Sequence, residues 1–316
     1  MDNKDKKMKM VDDRNKEPDI EWGALKPDIV DSKKKNIGDK VGKNGIFMGT
    51  RGIYDERNRM NELTGKDWVL FTKSWFIHNP IGRKKEENLH PAKFPESLIE
   101  DFIKFFSKKG ELVLDPMAGT GSTLVACDNC KRKGVGVELT EKWGKIAEKR
   151  TSQKVIIGDS HNLEQILHEN EIDNVDFCIT SPPYWNMLQK SRGNVISAAK
   201  QRKEEGLDES YSSNEMDLGN VDQYEKYLQD LYDVYAQVHK VLKNKKYFVV
   251  ICQNVLTSEG VMIPVAWDIA KKLSGLFTLK QERIWLQNNK MLASWGYPYR
   301  YVSNVHHHYC LIFEKI

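Results

Sequence analysis

The chain has 316 residues, enough to bury a large core, and its 40% hydrophobic and 30% charged content is ordinary for a water-soluble protein. No run approaches the roughly 18 consecutive apolar residues of a membrane span. The charged start MDNKDKKMKMVDD lacks the apolar stretch of a secretory leader, so the expected location is cytoplasmic, with no membrane partner. A net charge of +4, from 49 basic and 45 acidic residues, neither requires nor excludes nucleic acid, and five cysteines give no disulfide framework.

Residues 1–45 are rich in lysine and aspartate and read as a flexible charged arm. Residues 46–89 read as a small N-terminal subdomain that ends in an extended segment, and 90–316 as the main domain. In that domain HPAKFP (90–95) is a turn opening a helix, in which Leu98, Ile99, Phe102, Ile103, Phe105 and Phe106 keep helical spacing. Strands are then expected at 111–116, 134–139, 154–159 and 175–183, with helices at 121–130, 141–150 and 162–170 between them. After an insertion at 186–221 come a long helix (223–243), a strand (246–253), a helix (262–274) and two strands (278–287, 307–315). This alternation predicts an α/β fold whose mostly parallel sheet is covered on both faces. Two final strands with no helix between them predict an antiparallel hairpin at one edge. Cys127 and Cys130 fall in the helix after the first strand with no partner pair at zinc spacing, and His306–His308 lead into a strand, so no metal is expected.

Asp115-Pro116-Met117-Ala118-Gly119-Thr120-Gly121-Ser122 sits between a predicted strand and a predicted helix. Glycines there let backbone approach a ligand, and the helix start offers free N–H groups. Glu138 ends the second strand, where an acid can take both hydroxyls of a ribose. Asp159 ends the third, where it can accept from an adenine amino group. The turn lacks G-x-G-x-x-G and carries no Gly-Lys-Ser/Thr, which argues against a dehydrogenase turn or a phosphate loop.

Thr180-Ser181-Pro182-Pro183-Tyr184-Trp185 follows the fourth strand on the same rim. Two prolines suit a rigid loop at a strand end. The Ser181 side chain and the Pro182 carbonyl can each accept an N–H of an amino group, and Tyr184 can stack on an unpaired base. Such a loop needs no covalent nucleophile, since positioning carries the catalysis.

These motifs resemble those of the amino-methyltransferases of DNA, the N4-cytosine and N6-adenine family, over roughly residues 68–316. DPMAGTGS looks like the family's cofactor loop, TSPPYW like its catalytic loop, and HPAKFP with its helix like the element at the methionine end of the cofactor. The resemblance implies S-adenosylmethionine as cofactor, held by Asp115, Pro116, Ala118, Gly119, Thr120, Gly121, Ser122, Glu138, Asp159, His90 and Phe94. It also implies catalysis through Ser181, Pro182, Pro183 and Tyr184, and a Rossmann-like sheet of seven strands in the order 3-2-1-4-5-7-6. Serine-first loops are the commoner form in the cytosine members, so N4 of cytosine is the expected target. The expected partners are double-stranded DNA with the base flipped out and a cognate restriction endonuclease. Members with this motif order often carry a target-recognition domain after the last strand, whereas this sequence stops at Ile316.

For DNA contact the sequence offers Trp185 and the insertion's Lys190, Arg192, Lys200, Arg202 and Lys203, followed by Arg300 among the tyrosines of 288–304. A solvated loop and a tyrosine-rich hairpin packed on the subdomain are the alternatives for these two stretches. C5-cytosine chemistry is disfavoured because no Pro-Cys occurs. N6-adenine, RNA or protein amide methylation, and a catalytically dead DNA-binding subunit, remain the competing readings.

Overall fold

The computed structural model describes residues 35–79, 94–185, 217–257, 260–290, 292, 298–299, 301 and 303–316. Strands β1 (Lys40–Val41), β2 (Gly45–Phe47) and β3 (Ile53–Asp55) form a small antiparallel sheet, followed by α1 (Gly65–Phe71) and β4 (Trp75–Ile77). This sheet begins inside the stretch 1–45. Helix α1 starts where Thr64 and Asp67 cap it reciprocally, each side chain accepting from the other's backbone N–H.

The main domain continues with α2 (Glu96–Phe106), β5 (Leu112–Asp115), α3 (Ser122–Cys130), β6 (Lys133–Glu138), α4 (Glu141–Arg150) and β7 (Lys154–Ile157). Next come α5 (Leu163–Glu169), β8 (Val175–Thr180), α6 (Tyr224–Val241) and β9 (Leu242–Cys252). A two-stranded ribbon, β10 (Val255–Leu256) with β11 (Met262–Ile263), precedes α7 (Val265–Leu273), β12 (Thr278–Leu286) and β13 (His307–Glu314).

The large sheet has the order β4-β12-β13-β9-β8-β5-β6-β7. Eight strands stand where seven were expected, because β4 of the N-terminal subdomain adds in parallel to β12. The expected terminal hairpin is present, with β12 and β13 antiparallel. It does not stand at the sheet's edge: β13 pairs antiparallel with β9 on its other side, and β4 closes the edge beyond β12.

Period-two alternation explains why both faces are covered. Phe177 and Ile179 of β8, Val249 and Ile251 of β9, and Cys310 and Ile312 of β13 bury against α2 and α3. Cys178, Phe248, Val250, Leu311 and Phe313 bury on the opposite face against α5, α6 and α7. Cys127 and Cys130 lie in the first layer as buried thiols.

The N-terminal subdomain docks on the outer side of that layer through α2. Phe71 stacks on Phe105 at 3.9 Å between centroids and meets Phe102 edge-on at 5.3 Å. The Arg283 guanidinium lies over Phe71 at 4.0 Å and over Phe76 at 4.4 Å, and its Nε donates to the Lys73 carbonyl. Burial pushes the Arg283 pKa down to about 10. Arg132 adds a second tie, donating to the Ser107 and Cys130 carbonyls and to the Glu62 carboxylate.

Phe102 is fully buried where these layers meet. Phe102→Ala should therefore lower unfolding stability by about 3–5 kcal/mol, measured by urea denaturation. A loss below about 1 kcal/mol would show that this layer does not anchor the subdomain.

Candidate active site

Parallel β5, β6, β7 and β8 end on one side of the sheet, so the residues that follow them surround one cleft. Asp115 closes β5. Its Oδ1 accepts from the Met117 N–H at 3.0 Å and the Thr180 hydroxyl at 2.7 Å, and its Oδ2 from the Thr123 hydroxyl at 2.6 Å. One buried carboxylate thus joins the glycine turn, the first turn of α3 and the end of β8. Burial raises its pKa despite the three hydrogen bonds that act to lower it. Asp115 lines the cleft as expected, but both of its oxygens are already engaged within the protein.

The turn itself needs two glycines in the left-handed region, Gly119 (φ 52°) and Gly121 (φ 81°). A Cβ on Gly121 would also meet the Cβ of Ala147 at 2.9 Å, so α4 packs directly against the turn. Arg150 at the end of α4 donates to the Thr120 carbonyl and to Glu96 at the start of α2, fixing the far side of the loop. The Ser160 hydroxyl donates to the Pro116 carbonyl.

Glu138, 9% exposed at the end of β6, accepts from the Gly119 N–H and the Thr140 N–H, each at 2.8 Å. Burial pushes its pKa up to about 7, opposed by those hydrogen bonds and reinforced by the charges of Asp217 and Asp115. Asp159 caps the short turn Ser160–Asn162, its Oδ1 accepting from the His161 backbone and pairing with the His161 ring at 2.7 Å.

The S-P-P loop leaves β8 on the same rim, and Ser181, Pro182 and Pro183 line the cleft with the acids. The Tyr227 hydroxyl of α6 donates to the Pro183 carbonyl at 2.9 Å, which locks the loop onto the core. Tyr184 departs from expectation. It is 5% exposed and packs in the core cluster beneath the loop, so its ring is not displayed for stacking on a base. Trp185 is half-buried, 5.1 Å from Tyr224 between ring centroids.

Pro116, Ala118, Gly119, Thr120, Ser122 and Phe94 line the cleft as expected. His90, Lys190, Arg192, Lys200, Arg202, Lys203 and Arg300 lie outside the described residues. The structure adds residues the sequence did not single out. Asp217 and Leu218, at the return from the insertion, reach the cleft, where the charge of Asp217 acts on Glu138. Trp143 of α4 and His161 also line it. The Asp-x-Gly turn at 217–219 was the only local signal for the first of these.

Among the described residues lining the cleft there are four carboxylates (Asp115, Glu138, Asp159, Asp217) and no lysine or arginine. That set of acceptors suits a ligand that is cationic and rich in hydroxyl and amino donors, and is unsuited to phosphates. S-adenosylmethionine, with its sulfonium, ribose diol and adenine amino group, fits these residues.

A family model described as DNA methylase matches residues 3–149 and 175–315. The chain is similar to the orphan methyltransferase M.BamHII of Bacillus amyloliquefaciens, 35% identical over 146 residues that cover 44% of this chain and 54% of the relative. It is also similar to the type II methyltransferase M.BglI of Bacillus subtilis, 33% identical over 89 residues, 28% of this chain and 25% of that one. The chain therefore spans about half or less of the length of these curated relatives. Among solved structures it is similar to TrmN from Thermus thermophilus, 13% identical, with a TM-score of 0.43 over 72% of this chain and 50% of the other. The match of the family model across both halves of the site establishes that the chain belongs to the DNA methylase family, whose methyl donor is S-adenosylmethionine.

Proposed function

We propose that this chain transfers a methyl group to the exocyclic N4 of cytosine in double-stranded DNA. The observation that carries the reading is the meeting of an acid-lined cleft, with no lysine or arginine among its described residues, with the Ser181-Pro182-Pro183 loop on one rim. Bound there, S-adenosylmethionine supplies a methyl group activated by its sulfonium. Glu138 is placed to accept from the ribose hydroxyls and Asp159 from the adenine amino group. Asp115 holds the turn in shape, and Phe94 lines the cleft beside it. Ser181 Oγ and the Pro182 carbonyl are the acceptors for the two N–H bonds of the target amino group, and holding both aims its lone pair into the cleft. Tyr184, packed inside, supports the loop from below.

An amino group paired inside a duplex cannot reach this rim, so the target base is flipped out. The duplex phosphates find no cation among the described cleft residues. Their contacts are assigned to the basic residues of the insertion and to Arg300. A cytoplasmic location and a companion endonuclease in a restriction–modification pair complete the proposal. Among the described residues no helix is long and apolar enough to cross a membrane. The choice of cytosine rests on the serine-first loop.

The decisive assay is incubation with isotopically labelled S-adenosylmethionine and mixed-sequence duplex DNA, followed by mass spectrometry of the nucleosides. N4-methylcytosine is expected. N6-methyladenine would change the base and keep the mechanism, whereas 5-methylcytosine, or transfer to RNA or protein alone, would overturn the reading.

The raised pKa of Glu138 gives a pH dependence with a definite sign. Below about pH 7 the free protein keeps the proton on Glu138, and the protonated carboxyl can no longer accept from both hydroxyls of a ribose diol, one on each oxygen. Cofactor affinity should therefore strengthen as pH rises and level off above the pKa. At pH 6 it should be about tenfold weaker than at the plateau, one unit below the pKa leaving about a tenth of the group ionised. Calorimetry from pH 6 to 8 checks this, and Glu138→Gln should flatten the profile. A wild-type profile with no slope would remove Glu138 from the ribose.

A further inference from the structure

The hairpin of β12 and β13 carries two buried polar atoms that the cofactor cleft does not use. His308, 7% exposed, stands in register opposite Trp285, and the two rings stack at 4.5 Å with 26° between their planes. Among the described residues its Nδ1 has no hydrogen-bond partner. Gln287, 9% exposed and directly after the end of β12, two residues beyond Trp285, has a buried Oε1 in the same condition. Buried polar atoms are nearly always paired, and two such atoms at one end of the hairpin mark a place built to be filled.

That place adjoins the catalytic loop. The His308 ring lies 6.2 Å from the ring of Tyr184 and 6.3 Å from that of Phe94, which itself lines the cleft. Ile179 and Ile251, on the strand face that also carries Trp285, line the cleft as well. The strand ends are held firmly: Gln253 Nε2 donates to the His307 carbonyl at 2.7 Å, and the Gln287 N–H to the His306 carbonyl.

We propose that His308 is a base-recognition residue, its Nδ1 hydrogen-bonding the ring nitrogen next to the exocyclic amino group of the flipped base. This rests on the amino-methylation reading given above. Cytosine and adenine share the required edge, an amino group beside a bare ring nitrogen. Ser181 and Pro182 take the amino hydrogens, which leaves the ring nitrogen in need of one donor. A neutral imidazole with its proton on Nδ1 supplies it. Burial, with Lys290 and His307 adding to it, holds the His308 pKa down to about 3, so the ring stays neutral under working conditions. Stacking on Trp285 fixes its plane, and the Gln287 Oε1, without a partner among the described residues, extends the same polar floor.

The test pairs a change in the protein with the matching change in the base. His308→Phe keeps a ring on Trp285 and removes the hydrogen bond, and His308→Asn restores a polar group near the Nδ1 position. The substrate is a duplex oligonucleotide that the wild type methylates, prepared again with a C–H in place of the target's ring nitrogen. On the ordinary duplex His308→Phe should lose about tenfold or more in kcat/KM, with His308→Asn recovering part of it and cofactor Kd within about twofold of wild type. The altered base should cost the wild type a similar factor and His308→Phe almost nothing further. Wild type indifferent to the altered base, or two losses that multiply, would overturn the contact while leaving methyl transfer intact. A wild type that modifies no duplex at all would instead bring down the functional reading on which the contact rests.

Discussion

Three hydrogen bonds to one buried carboxylate hold this site together. Asp115 takes a backbone N–H from the glycine turn, a hydroxyl from α3 and a hydroxyl from the end of β8. The turn belongs to the half of the site that would hold the cofactor, and β8 leads straight into the S-P-P loop that would hold the target. Adjacent parallel strands already bring the two loops near each other, but pairing of strands leaves their tips free to splay. Asp115 removes that freedom, and the hydroxyls leave its charge partly compensated in a place where burial alone would penalise it heavily. Arg150 and Tyr227 repeat the device from outside, one gripping the turn at Thr120 and the other the loop at Pro183.

The electrostatics of the cleft follow from the same arrangement. Carboxylates at successive strand ends face inward, and the described lining contains no cation to balance them. Burial, reinforced by the charges of Asp217 and Asp115, raises the pKa of Glu138, and the carboxylates together make the cleft receptive to positive charge and to hydrogen-bond donors. The same field repels phosphate. On the reading proposed above, a nucleic acid would present a neutral base to this rim with its backbone outside, as a base turned out of the helix does.

Much of the fold was legible because burial on both faces leaves a plain mark on sequence. VDFCIT at 175–180 is apolar enough to read as an interior strand, and the strand–turn–helix order around Gly119 needed no tertiary information. Strand β4 was only an extended segment in the sequence, since three residues joining a distant strand carry no periodicity of their own. The burial of Tyr184 was not legible for a related reason: an aromatic in a loop has the same local signature whether it faces a ligand or the core. Asp217 was not singled out, and His308 was read only as leading into a strand, because their places depend on long-range contact, Asp217 on the return from an insertion and His308 on its register with Trp285. The acids at strand ends were found because topology puts such positions together in any parallel sheet.

The central claim is a division of labour along one rim, cofactor on the strand-end acids and target amino group on the S-P-P loop. Measuring cofactor Kd by calorimetry beside the single-turnover rate of transfer to DNA, for Ser181→Ala and for Glu138→Gln, separates the two. The account predicts that Ser181→Ala keeps Kd within about twofold and slows transfer by about a hundredfold, whereas Glu138→Gln weakens cofactor binding by about tenfold with the saturated rate largely kept. Both variants losing cofactor affinity alike, with no separate loss of rate in Ser181→Ala, would contradict it.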